Sequence, residues 1–142
     1  VTEGRTPERG RLIGPRGEVL LFFALLDFVF AYAVTNPIRP LVPQYVWLNS
    51  VLPLWVWGLW WLLTGVVCLV FAFLPVDTPA FTAAIAVKVG WGLLSGIGWL
   101  NGQDPRGYVS AIIWLGFAYF VFRVAGGIPP PADRGGRRWI RS

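Results

Sequence analysis

Asp27 is the only charged residue between Glu18 and Arg39, and Lys88 is the only one between Asp77 and Asp104. Both stretches are strongly apolar. A charge in a hydrocarbon environment is costly, so such residues face a bundle interior or a partner and are candidate functional residues. Two chemistries fit an acid and an amine placed this way. One is a protonatable switch, because a low dielectric favours the neutral forms while an opposite charge favours the ionised ones. The other is a structural clasp that fixes which helices lie together. The sequence leaves both open.

The remaining residues offer little other chemistry. There is no His, and Cys68 is the single cysteine, so metal sites and Cys/His or Ser/His nucleophilic pairs have no basis. Cys68 lies in an apolar stretch and reads as a small hydrophobe. Asp77, Asp104 and Asp133 read as helix caps or solvated loop charges. The glycines around Gly90 and Gly92 do not follow a strand, which removes a dinucleotide loop. No catalytic, cofactor-binding or metal-binding residue is assigned. The expectation is a protein without cofactor that is not an enzyme.

The elements that would position Asp27 and Lys88 follow from hydropathy. Of the 142 residues, 56% are hydrophobic and 13% charged, and the mean hydropathy is +0.60. That composition belongs to membrane proteins rather than to domains with a solvated surface. The expected fold is all-α, an integral membrane four-helix bundle of residues 18–125 with short loops. Its spans are 18–35, 51–74, 79–100 and 105–124, flanked by basic disordered tails at 1–17 and 126–142.

Pro37, Pro40 and Pro43 make residues 36–49 an extended connector. The second span, 51–74, is about 36 Å long at the helical rise. Thr78 and Pro79 are the expected cap and first residue of the third span, and Asp104 and Pro105 those of the fourth.

Topology follows from charge. Four Arg precede the first span and five accompany the end of the fourth, while the loops on the opposite side hold only Arg39 and Arg106. Cytoplasmic flanks carry the positive excess, so both termini are expected in the cytoplasm of a cell whose inner membrane the chain crosses four times. The net charge of +5 resides mostly in those flanks, where anionic lipid is the nearer partner. No basic face for nucleic acid is visible. Eleven Arg against one Lys, with Val at position 1, fit a GC-rich genome and a GTG start.

At the helical rise, Asp27 and Lys88 both lie about 13 Å deep from the cytoplasmic side, which makes a direct ion pair reasonable. Small residues share their faces: Ala24 and Ala31 beside Asp27, and Ala84, Gly92 and Ser95 beside Lys88. Small residues let helix backbones approach closely. Gly92 and Gly96 form a small-xxx-small pair, read either as packing within one chain or as a self-association face of a homo-oligomer. Gly58 and Gly65 form a second small face on the second span. Trp55, Trp57, Trp60 and Trp61 are expected to anchor that span at the headgroup level.

Three segments carry a resemblance: the Trp-rich stretch from Leu59 to Val70, the Ala-Ala-Ile-Ala-Val-Lys-Val-Gly-Trp run from Ala83, and Arg106-Gly-Tyr-Val-Ser-Ala-Ile-Ile-Trp. Over residues 50–131 the chain resembles the small four-span membrane proteins of actinobacterial bacteriophages and prophages. That resemblance implies a holin-like protein, which self-associates in the cytoplasmic membrane to permit host lysis. It supplies no site residues.

Two other expectations stand beside it. One is a non-catalytic membrane subunit or envelope interaction protein whose protein partner the sequence does not name. The other is a small ion-coupled transporter: the small multidrug transporters are similar in span number and in a carboxylate on the first helix. They differ in having shorter tails and no lysine in the third span.

Overall fold

The computed structural model describes residues 14–127, and the readings made for the terminal tails and Asp133 fall largely outside that range. Within it the chain is all-helical: α1 Pro15–Thr35, α2 Pro43–Val51, α3 Leu54–Phe71, α4 Thr78–Leu100 and α5 Gly107–Gly127. Four of these helices, α1, α3, α4 and α5, are long and apolar enough to cross a membrane. They form the four-helix bundle of a multi-pass membrane protein. Its outer surface is apolar, with Leu25, Tyr32, Leu63, Ile112, Ile113 and Phe122 all more than half exposed. That is the reverse of a soluble bundle, whose outward helix faces are polar.

Proline chemistry explains where the element boundaries differ from expectation. Pro43 is the first residue of α2 rather than part of an extended connector, with Val42 extended before it. A proline at the first helical position loses nothing, because its missing N–H would have no intrahelical acceptor there. Leu52 is extended, with φ −148° and ψ 149°, as a residue before proline prefers. The second span therefore starts at Leu54 instead of residue 51. Pro15 likewise starts α1 three residues earlier than expected. At the other two turns, Thr78 lies inside α4 with Asp77 at the cap position, and Pro105 stays in the turn. Asp104 closes that turn by accepting a hydrogen bond from the Arg106 amide at 3.2 Å.

Two kinds of packing hold the bundle. α1 lies along α3 and α4 along α5, and in both pairs glycine brings backbones together. A Cβ on Gly58 would meet the Thr35 methyl and lie 3.2 Å from the Ala31 carbonyl oxygen; one on Gly65 would lie 2.7 Å from the Phe28 ring and 3.3 Å from the Ala24 carbonyl oxygen. In the second pair, Gly92 abuts Leu115, Gly96 faces Ala111, and Gly107 sits on the Ser95 carbonyl.

Between the two pairs the contact is made by large rings. Phe23 meets Phe81 and Phe117, Phe30 meets Trp114, and Trp57 and Trp61 meet Trp91. The bundle is thus two tightly joined helix pairs closed along an aromatic seam. Ala24 and Ala31 belong to the α1–α3 contact, and Gly92 and Ser95 to α4–α5 and α2. Ala84, also expected beside Lys88, lies in one cluster with Leu20, Phe23 and Ala24 of the first span.

Candidate functional site

The seam contains the buried charges. Ala24 belongs to an apolar cluster toward the chain termini, with Leu20, Phe23, Cys68, Phe81 and Ala84. Ala31 belongs to a second cluster with Val34, Trp61, Val87, Trp91 and Trp114. Asp27 falls between the two along α1, and Lys88 lies on α4 inside the second cluster, between Val87 and Trp91. Both are fully buried, and the Lys88 Nζ donates a hydrogen bond to Asp27 Oδ1 at 2.9 Å. The ammonium is also ringed by aromatic faces: Phe23, Trp61 and Phe117 have centroids 5.3, 5.4 and 5.7 Å from Nζ. Each ring adds electrostatic attraction that grows when water is excluded. Asp27 Oδ2 and Trp61 Nε1 are buried with no hydrogen-bond partner among the described residues.

A second ion pair lies at the bundle end where α1 and α4 begin. Arg16 donates from Nε and Nη2 to the two carboxylate oxygens of Asp77, the latter bond at 2.9 Å, and from Nη1 to the Ala125 carbonyl at 2.7 Å. A two-point guanidinium–carboxylate contact is the strong, orienting form of an ion pair. Asp77 is thus neither a solvated loop charge nor a side-chain cap. Arg16 ties the start of α1 to the α3–α4 turn and to the end of α5. That turn carries no positive residue of its own, and Arg16 brings one to it.

The two pairs obey one rule. Arg16 to Asp77 and Asp27 to Lys88 both span 61 positions, so the same offset holds at two heights on helices that run in the same direction. Along each helix the members are 11 residues apart, about three turns, which returns to the same face. The signs are reversed between α1 and α4, so a slip by one turn loses both pairs. Replacement of Asp77 by Asn is expected to lower stability by about 1–2 kcal/mol. Arg16→Ala added to it should cost much less than it does alone, as measured by thermal unfolding in detergent micelles.

The tryptophans divide. Trp55 and Trp60 are exposed on the outer face, whereas Trp57 and Trp61 are buried, which corrects the expectation that all four are interfacial anchors. Trp61 stacks on Phe30 with centroids 5.0 Å apart. A cavity of about 30 Å³ lined by Trp57, Trp60, Trp61, Val87, Gly90 and Trp91 lies alongside, room for about one water molecule. Cys68 is buried and directs its thiol to the Ala80 carbonyl at 3.8 Å.

Sequence reasoning missed a polar cluster at the opposite end. Gln44 of α2 donates from Nε2 to Ser95 Oγ and to Ser110 Oγ, both at 3.2 Å, and the two hydroxyls are 3.2 Å apart. Ser95, expected on the Lys88 face as a packing residue, serves instead as a hydrogen-bonding group between α2, α4 and α5. Beside it, burial raises the Tyr45 phenol above its ordinary pKa. Gln44 lies in the segment whose prolines read as an extended connector, so nothing in the sequence joins it to Ser95. Among the described residues no three His, Cys, Asp or Glu side chains gather. Compared with family models, curated proteins and solved structures, the chain has no match.

Proposed function

We propose that the protein is holin-like: a phage or prophage protein of an actinobacterial cytoplasmic membrane, with both termini in the cytoplasm, that self-associates and opens along its seam to permit host lysis. The observation that carries this reading is the Asp27–Lys88 pair, which lies in the surface between the two helix pairs rather than within either. Parting the helix pairs would present two charges to lipid, at a cost of several kcal/mol each. Self-association that turns the parted faces inward onto water removes that cost and creates an aqueous lesion. The charge pair is then the latch of the closed form. The Arg-rich flanks support the orientation.

Induced expression in a bacterial host, followed with a potential-sensitive dye, tests the reading. The wild-type chain should depolarise the membrane abruptly after a lag, and Lys88→Met should shorten that lag. A host that keeps its membrane potential at every expression level sinks the proposal. A second reading, a non-catalytic membrane subunit, draws on a different observation: Gly58, Gly65, Gly92 and Gly107 are all consumed by contacts inside the chain. Those glycines then offer no free face to a second copy. A stoichiometric protein partner recovered with the tagged chain would favour it.

A further inference from the structure

We infer that α2 is a detachable strap that closes the seam at the end remote from the termini. Its contacts reach both helix pairs. On the α4–α5 side, Gln44 binds Ser95 and Ser110, the Trp47 indole donates to the Leu94 carbonyl at 3.4 Å, and the Trp47 ring lies on Gly98, where a Cβ would come within 2.7 Å of it. On the α3 side, the Trp57 indole donates to the Leu48 and Leu52 carbonyls at 3.1 and 3.0 Å. Leu48 itself is buried in the Trp57–Trp61–Trp91–Trp114 cluster. The strap therefore covers the ends of both helix pairs at once.

Its attachment differs in kind from that of the spans. α2 is nine residues long, below the length at which a helix holds its own shape in water. Its ends are set by Pro43 and by the extended Leu52 before Pro53, so it can swing without unravelling α3. Apart from Leu48 and the Tyr45 and Trp47 rings, which pack on the tryptophan cluster, the strap is held by neutral hydrogen bonds, each of which contributes modestly because water can replace it. The spans by contrast keep all their backbone bonds internal. Release of α2 thus comes before any parting of the bundle, and it uncovers the Ser95 and Ser110 hydroxyls together with the end of the aromatic seam. This inference concerns the closed bundle and stands whether or not the protein permeabilises membranes.

Thiol labelling in proteoliposomes tests it with Cys68 as an internal control. Ser95→Cys supplies a second, strap-covered thiol, and N-ethylmaleimide incorporation at the two positions is read separately by peptide mass. With α2 intact both thiols should react slowly. Adding Gln44→Ala and Trp47→Ala should speed labelling at position 95 about tenfold while Cys68 stays protected. Labelling at position 95 that is already fast with α2 intact, or unchanged by the two substitutions, overturns the strap. So does equal acceleration at Cys68, because the substitutions would then have loosened the whole bundle.

Discussion

Lys88→Met will destabilise the bundle by about 3–5 kcal/mol, and adding Asp27→Leu to it will recover most of that loss. Methionine follows the path of the lysine stem, so the single substitution removes charge more than volume. What it leaves is a carboxylate at zero exposure whose other oxygen already lacks a partner among the described residues. The double variant removes that carboxylate as well and fills the site with apolar atoms beside Phe23 and Trp61. Reversible unfolding in mixed micelles, with the four variants of the cycle compared, gives both numbers. A Lys88→Met protein as stable as the wild type would mean that the pair contributes nothing to holding the helices together. A double variant as unstable as the single one would mean that the loss came from packing and not from charge.

Gly107→Ala will cost about 3 kcal/mol, the upper end of what overpacking ordinarily costs, while Gly116→Ala will be neutral or gain up to about 1 kcal/mol. The two glycines are on the same helix and differ in what a methyl group would meet. At Gly107 it would fall on the Ser95 carbonyl, with the Trp99 Cβ at 3.0 Å and Asp104 Oδ2 at 3.2 Å; at Gly116 nothing lies within 4 Å. A backbone carbonyl inside a helix cannot step aside, so α5 must move away from α4 and strain the Ser95–Ser110 contact. Thermal unfolding in micelles distinguishes the two. Equal effects at both positions would contradict the close α4–α5 approach on which the two-pair architecture rests.

Much of this architecture is legible in the sequence, and the illegible parts share a cause. Four spans follow from long apolar runs, and the Asp27–Lys88 contact follows from matched depth. The second ion pair was equally available: Arg16 and Asp27 are 11 apart, as are Asp77 and Lys88, with opposite signs. It is overlooked when Arg16 is assigned to a solvated tail and Asp77 to a cap.

Small-residue faces are a different matter. Periodicity shows that Ala24 and Ala31 share a face with Asp27, but a face can meet either of two neighbours, and here it meets Gly65 and Gly58 of α3. The strap was hidden for a local reason. Pro43 reads with Pro37 and Pro40 as a helix breaker, although at the first position of a helix proline is a good beginning. Trp57 and Trp61 were hidden because the residue that tryptophan offers to a membrane interface is the same one it offers to a core.

Two helix pairs meet along a seam in which Asp27 and Lys88 form a buried ion pair, the proposed latch of the closed form. Spin labels on exposed positions test it directly, in a Cys68→Ala background reconstituted in bilayers. Tyr32→Cys with Leu63→Cys reports within the α1–α3 pair, and Tyr32→Cys with Ile112→Cys reports across the seam. Measured by pulsed electron–electron resonance, both distances should be narrow when Lys88 is present. In Lys88→Met the cross-seam distribution should broaden and lengthen while the α1–α3 distance stays as it was. A cross-seam distance that does not respond to Lys88→Met, or an α1–α3 distance that shifts equally, would contradict the latch.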